Sequence, residues 1–436
     1  MTDSVRKPIA NLDETRALVT ASLQGRYRRE RIFQAAGVVA VLLSVGFVLF
    51  FFTSIVGKGY SAFSQTYIKL DIYFDPAVID PRGTRAVEDL SGANYAALVK
   101  DALQGLFPKV TGRSSTRELR RIISNGAAYA LQDMTVADPR LIGSRRSLWV
   151  LADDEIDMYM KGNVDVELDS DRRKVSDEQI AWVEQLREDE RIELRFNSTF
   201  FTAGDSRDPE LSGIWAAAKG SLFMLLICMG LAFPLGVAAA IYLEEFAPRN
   251  RWVDLIEVNI NNLAAVPSIV FGLLGLSVFI NFLGLPRSAP LVGGLVLALM
   301  TLPTVIIASR SAITAVPPSI REAALGLGAS RVQTVSHHVL PLALPGMLTG
   351  AILGLARALG ETAPLLMIGM VAFIVEAPNT PLDPSSALPV QIYLWADSPE
   401  RAFVERTSAA ILVLLGFLLV MNASAVWLRT KFERRW

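Results

Sequence analysis

Residues 316–341 read Val316-Pro-Pro-Ser-Ile-Arg-Glu-Ala-Ala-Leu-Gly-Leu-Gly-Ala-Ser-Arg-Val-Gln-Thr-Val-Ser-His-His-Val-Leu-Pro341, a polar stretch set between two long apolar runs. Pro317 and Pro318 suit the start of a helix, where a missing N–H costs nothing. Ile320, Ala323, Ala324 and Leu327 then fall at i, i+3, i+4 and i+7, forming one apolar stripe of mostly modest side chains. Gly326 and Gly328 end that helix. Ser330 with Gln333 reads as a capping box that opens a second helix, and Pro341 limits it. The expected product is a short helix–turn–helix outside the membrane. Its shallow, small-residue face suits either docking into another protein's groove or life as an amphipathic surface loop.

Working outward, the flanks are too apolar for a soluble core. The chain has 436 residues, of which 52% are hydrophobic and 19% charged, with a mean hydropathy of +0.38; soluble domains rarely average that apolar. Six candidate spans emerge: Ile32–Val56, Gly220–Leu243, Val258–Leu283, Leu291–Ala308, Gly346–Val375 and Ser408–Leu428. Pro234, Pro267 and Pro303 lie inside them, tolerable where neighbouring helices re-satisfy the freed backbone. The first 31 residues are polar and the apolar run after them is too long for a signal peptide's core, so Ile32–Gly57 reads as an uncleaved anchor. The fold class expected is an all-α polytopic membrane protein with six transmembrane helices.

Basic residues in short flanks set the orientation. Arg26, Arg28, Arg29 and Arg31 precede the first span; Arg429, Lys431, Arg434 and Arg435 follow the last. Both termini are then cytoplasmic, as are Glu244–Glu257 and Ser309–Pro345. The division expected is a cytoplasmic tail 1–31, an anchor 32–57, an extracytoplasmic insertion 58–213, a membrane core 214–428 and a basic tail 429–436. The insertion reads as a small α/β domain. Thr66–Phe74, Ser147–Leu151 and Ile192–Phe196 have strand character, while Val87–Leu106, Thr116–Leu131 and Asp177–Arg191 have helical spacing. No metal cluster, nucleophile motif or phosphate loop stands out in it, and a docking or spacer role is the plain reading.

Two charges interrupt the fifth run. Arg357 lies eleven residues beyond Gly346, roughly 16 Å along a helix axis, and Glu361 follows at i+4 on the same face. A charge buried in lipid costs about 2.5–3.5 kcal/mol even on the mildest scale, so such residues mark ion pathways. Guanidinium can grip phosphate oxygens in a bidentate fashion. The alternative is a structural pair that holds helices together. Gly346, Gly350 and Gly354 form a ridge that permits close packing. His337 and His338 point apart on a helix, so a shared metal site is not expected. Asn259, Asn261 and Asn262 suit helix ends or interhelical hydrogen bonds. Cys228, the single cysteine, excludes an internal disulfide. No G-x-x-x-x-G-K-[ST] occurs, so ATP binding through a P-loop falls to a partner. The net charge of −1 argues for no nucleic acid.

The stretch 316–341 resembles the EAA loop of binding-protein-dependent ABC importer permeases. Glu322-Ala323-Ala324, Gly328 and Leu340-Pro341 match that pattern at its spacing, while His338 takes a position usually aliphatic. The runs 259–275 and 357–366, with 236–248, are similar to the phosphate-importer permease of the PstA type. Arg310 stands where many members carry an acidic residue. The resemblance covers Ile214 to the C-terminus and implies an ABC type I importer permease core in a bacterial inner membrane. It also implies a heterodimer with a second permease subunit, two cytoplasmic ATP-binding subunits, an extracytoplasmic phosphate-binding protein and no cofactor of its own. Glu322, Ala323, Ala324, Gly328, Leu340 and Pro341 would couple to the ATPase, and Arg357 and Glu361 would line the phosphate route. Rival readings are a permease for molybdate or sulfate, or a membrane sensor with an outer ligand domain.

Overall fold

The computed structural model describes residues 12–164 and 174–432; Arg434 and Arg435 of the expected basic tail lie outside the described residues. Leu12–Gly59 is one helix, α1. It contains the first expected span, being long and apolar enough to cross a membrane. The described residues fall into two compact units, one ending at Gly57 and the other beginning at Lys58.

The second unit opens with a three-stranded antiparallel sheet. β1 (Ser64–Tyr73) lies between β2 (Arg145–Leu151) and β3 (Ile192–Phe196), with Tyr67 opposite Leu151 on one side and Glu193 on the other. Ile68, Leu70 and Ile72 alternate along β1 and are fully buried, so one sheet face is a core face. Helices α2 (Tyr95–Leu106), α3 (Gly126–Ala137), α4 (Asp154–Met160) and α5 (Asp177–Glu188) supply the opposing layer through Leu98, Leu103, Leu131, Ile156 and Val183. All pairing is antiparallel, so this segment is an α+β layer and not an alternating α/β one. Two expected helices are broken. Val87–Leu106 divides at Gly92, with Asn94 capping α2. Thr116–Leu131 divides because Ile123 leaves the helix to bridge Ala152.

The helical core follows. α6 (Trp215–Ile241) ends in a wide turn over Tyr242–Phe246. α7 (Arg251–Ala264) is followed by α8 (Ser268–Leu274), which widens through Phe282. Then come α9 (Pro290–Thr314) and α10 (Pro318–Gly326). α11 (Arg331–Gly360) is a long helix with a π-turn over Val335–Val339. The short α12 (Ala363–Met367) and α13 (Leu388–Ala396) precede α14 (Ala402–Phe432). Besides α1, four of these helices, α6, α9, α11 and α14, are long and apolar enough to span.

Three boundaries differ from expectation. Val258–Leu283 is a bent pair: α7 and the helix from Ser268 meet at 104°, so the spans number six only if that pair crosses as one. Pro267 begins the second arm and has no N–H to continue the first. The fifth span does not run to Val375. α11 stops at Gly360, and Gly369, at a φ of +87°, ends the short piece that follows. Pro341 does not limit the second helix of 316–341. The π-turn just before it changes the local hydrogen-bond ladder, and the helix continues from Arg331 into the span. The glycine ridge packs as expected: Gly346, Gly350 and Gly354 lie against Ala312, Ala308 and Thr301 of α9, too close for a Cβ on any of the three.

Candidate functional site

The stretch 316–341 builds an exposed knob. Pro318 starts α10, and Gly328, at a φ of +89°, turns the chain where a side chain would be strained. Ser330 and Gln333 form the reciprocal capping box. The predicted apolar stripe divides, because α10 is docked along one side. Ala324 is buried and Ile320 packs against the cluster that contains Ile313, Val316 and Val339, while Ala323 and Leu327 face outward. The free face carries Glu322, Ala323, Leu325, Leu327 and Val332, with Leu327 91% exposed. Of the other matched residues, Gly328 is exposed and Leu340 half-buried. Apolar side chains held outward on a docked helix form a surface that needs a partner.

Behind that face lie ion pairs that the sequence did not disclose. Arg321 points inward from α10. Its Nε and Nη2 donate to Glu245 Oε1 at 3.0 and 2.8 Å. Its Nη1 donates to the Val316 carbonyl at 2.6 Å and its Nη2 to Ile313 at 2.9 Å. It therefore binds the end of α6 and the end of α9, where a cation also opposes the negative helix terminus. One residue earlier on the same wide turn, Glu244 accepts from Arg310 Nε at 2.6 Å, and Arg310 Nη2 reaches Glu257 of α7 at 2.8 Å. Arg310 thus meets two acidic partners from two different elements. An open cavity of about 530 Å³ lies beside it, lined by Glu244, Asn261, Arg310 and Thr314 among others. The one signal in the sequence was Arg310 itself, an arginine in an apolar helix that requires a counter-charge.

Arg357 and Glu361 come together, with Nε to Oε1 at 3.3 Å. Their placement is not central: Arg357 sits in the last turn of α11 and Glu361 just after the helix ends. Arg357 is 47% exposed at the side chain, and its carboxylate partner is more buried. Asn259 donates to the Leu255 carbonyl within its own helix, and His337 and His338 are both exposed. Among the described residues no group of three or more metal-ligating side chains forms.

A second ion network, equally unforeseen, joins the sheet to α14. Lys161 Nζ lies 2.6 Å from Asp157 Oδ2 and 2.7 Å from Glu405 Oε1, all three side chains being at most 7% exposed. Asp157 also accepts from the Thr66 N–H of β1 at 2.8 Å. Ser124 donates to Glu210 at 2.5 Å. The guanidinium of Arg406 is buried over Phe200, its Nη1 having no hydrogen-bond partner among the described residues. Burial pushes the Asp153 carboxyl up to about 8, helped by the charges of Asp154 and Glu210. Burial likewise pushes Glu210 up to about 7.

Residues 232–436 match the family described as the binding-protein-dependent transport system inner membrane component. Residues 20–170 match a domain of unknown function, DUF3333. A probable ABC transporter permease protein, YqgI of Bacillus subtilis (strain 168), is 32% identical over 251 residues, which cover 54% of this chain and 84% of that one. The chain belongs to this permease family, and is of the PstA type. The phosphate transport system permease protein PstA 1 of Mycobacterium tuberculosis is 34% identical over 51% of this chain and 72% of its own. A solved inward-facing form of the MetNI methionine ABC transporter overlaps 51% of this chain and 98% of that chain, at 18% identity and a TM-score of 0.42. By its family and its relatives, the permease is an integral inner-membrane transport subunit.

Proposed function

We propose that this permease forms half the translocation pathway of an ATP-driven importer of inorganic phosphate. The observation that carries the reading is the exposed α10 knob, matched to the EAA pattern and held on the ends of α6 and α9 by Arg321. Phosphate as cargo is supported by the relatives that are phosphate transport permeases. Glu322, Ala323, Ala324, Gly328, Leu340 and Pro341 take the coupling role, with Ala324 and Pro341 shaping the knob and the exposed residues meeting the ATPase. ATP is hydrolysed by separate subunits inside, a second permease completes the pathway, and a phosphate-binding protein delivers cargo outside. The bent α7–α8 pair crosses as one span in this topology. Six crossings then place both termini and α10 in the cytoplasm and the sheet segment 58–213 outside, consistent with the basic flanks of the first and last spans.

Arg357, half-exposed at the end of α11, offers its guanidinium to the anion route, while Glu361 holds it in place and lowers the cost of leaving it partly desolvated. The test is uptake into vesicles that contain all the partners, with phosphate competed by sulfate and by molybdate. Phosphate is expected to be carried and to resist competition by the other two. Arg357→Gln is expected to abolish uptake while the complex still assembles. Near-normal uptake by that variant removes Arg357 from the route, and absence of flux with every anion removes the importer reading.

A further inference from the structure

We propose that Arg321 and Arg310, held by the adjacent glutamates Glu245 and Glu244, form a double clamp that passes movement of α10 into the spans. The inference rests on the importer reading and adds the residues that transmit the force. A helix of nine residues cannot pull long spans through apolar contact alone if that contact can slide. α10 is moored through Ala324 and Ile320, both modest in area. Arg321 adds directional bonds to three places at once: Glu245 beyond α6, Ile313 in the last turn of α9, and Val316 just after it. The planar guanidinium fixes the angle between them as a point charge cannot.

The clamp extends because Glu244 and Glu245 are neighbours on one turn, Tyr242–Phe246. Glu245 faces α10 through Arg321, and Glu244 faces α9 through Arg310, which continues to Glu257 on α7. Four elements are thereby tied at one end: α10 to α6 and α9 by Arg321, α9 to α6 and α7 by Arg310. Displacing α10 displaces the end of α6, and the pull is shared with α9 and α7 around the open cavity beside Arg310. Arg321 and Arg310 are positioning residues; neither is part of the exposed face.

The experiment reconstitutes the full complex in liposomes and measures ATP hydrolysis and phosphate uptake together. Arg321→Gln is expected to lower uptake per ATP hydrolysed at least tenfold, with hydrolysis within about twofold of the parent. Arg321→Lys, which retains charge but not the fork, is expected to fall between them. Glu245→Gln, which leaves the bonds from Arg321 to Val316 and Ile313 in place, is expected to lower the ratio of uptake to hydrolysis less than Arg321→Gln does. An unchanged ratio of uptake to hydrolysis in Arg321→Gln overturns the proposal. If Arg321→Gln does not assemble, Glu245→Gln decides: a lowered ratio of uptake to hydrolysis supports the clamp, and an unchanged ratio or a failure to assemble overturns it. Failure of the importer reading is seen separately, as an unaltered complex that moves no phosphate.

Discussion

Among the described residues two ion networks stand out, and they differ in how much water they keep. The knob set, Arg310 and Arg321 with Glu244, Glu245 and Glu257, has side chains 13–32% exposed. The sheet set, Lys161 with Asp157 and Glu405, has side chains only 3–7% exposed. Water at the knob set screens each charge and lets a pair part and re-form at modest cost. At the sheet set a separated charge finds no such shelter, so the contact is rigid. The difference teaches that charge pairs alone do not make a moving part. The knob network can yield while it transmits, whereas the sheet network fastens the sheet to the start of α14 and is built to stay closed.

The largest effect expected is therefore at Lys161. Lys161→Met leaves Asp157 and Glu405 buried around an apolar side chain, and removing one partner of a buried pair costs about 3–5 kcal/mol. Thermal unfolding of the detergent-solubilised protein measures it, and a large fall in melting temperature is expected. A fall no greater than at an exposed position would show the sheet network to be wetter than its burial implies.

Arg310→Met, at the knob network, is expected to cost less, about 1–3 kcal/mol, the usual penalty for stranding hydrogen-bonded acceptors. Glu244 and Glu257 can turn to solvent when the arginine is gone, being 24% and 32% exposed at the side chain. The same melting experiment orders the two variants. If Arg310→Met proved the more damaging, the contrast between a yielding and a fixed network would have to be given up.

Neither network was legible, for a reason that also explains what was. Hydrophobic periodicity reports local geometry, so α9, β3 at Ile192–Phe196 and the Ser330–Gln333 cap came through from runs of neighbouring residues. Lys161 and Glu405 are 244 positions apart, and Arg310 and Glu244 are 66 apart; no local period joins them. Glu405 and Arg406 were further hidden because α14 begins at Ala402, ahead of the expected Ser408, and carries both charges in its opening turns. The bend at Pro267 and the stop at Gly360 were partly visible as helix breakers. Hydropathy averages over such single residues, and it ran both spans through them. The knob itself was readable, but which side of its stripe would face outward depended on the ends of α6 and α9, which sequence spacing cannot supply.

The smallest effect in acid solution, and the finest test of the contrast, is Asp153→Asn in the sheet segment. Asp153 caps α4 by accepting from the Glu155 N–H, which an amide oxygen can also do, so folding below about pH 4 is expected to be almost unchanged. The pH dependence is where the two proteins part. A carboxyl held up to about 8 when folded, against 3.8 when free, keeps a proton that the unfolded chain has lost. Its contribution to stability is complete below about pH 4 and is lost as the pH rises through 8. Glu210, held up to about 7 from 4.5, acts in the same direction and finishes a unit earlier. The parent protein should therefore melt at progressively lower temperature from pH 5 to pH 8.5. Asp153→Asn has no proton to lose and should flatten that decline, leaving the variant the more stable of the two at the alkaline end. Parallel curves would mean that Asp153 titrates in water like any surface carboxylate, and the dry character assigned to its surroundings would fail with it.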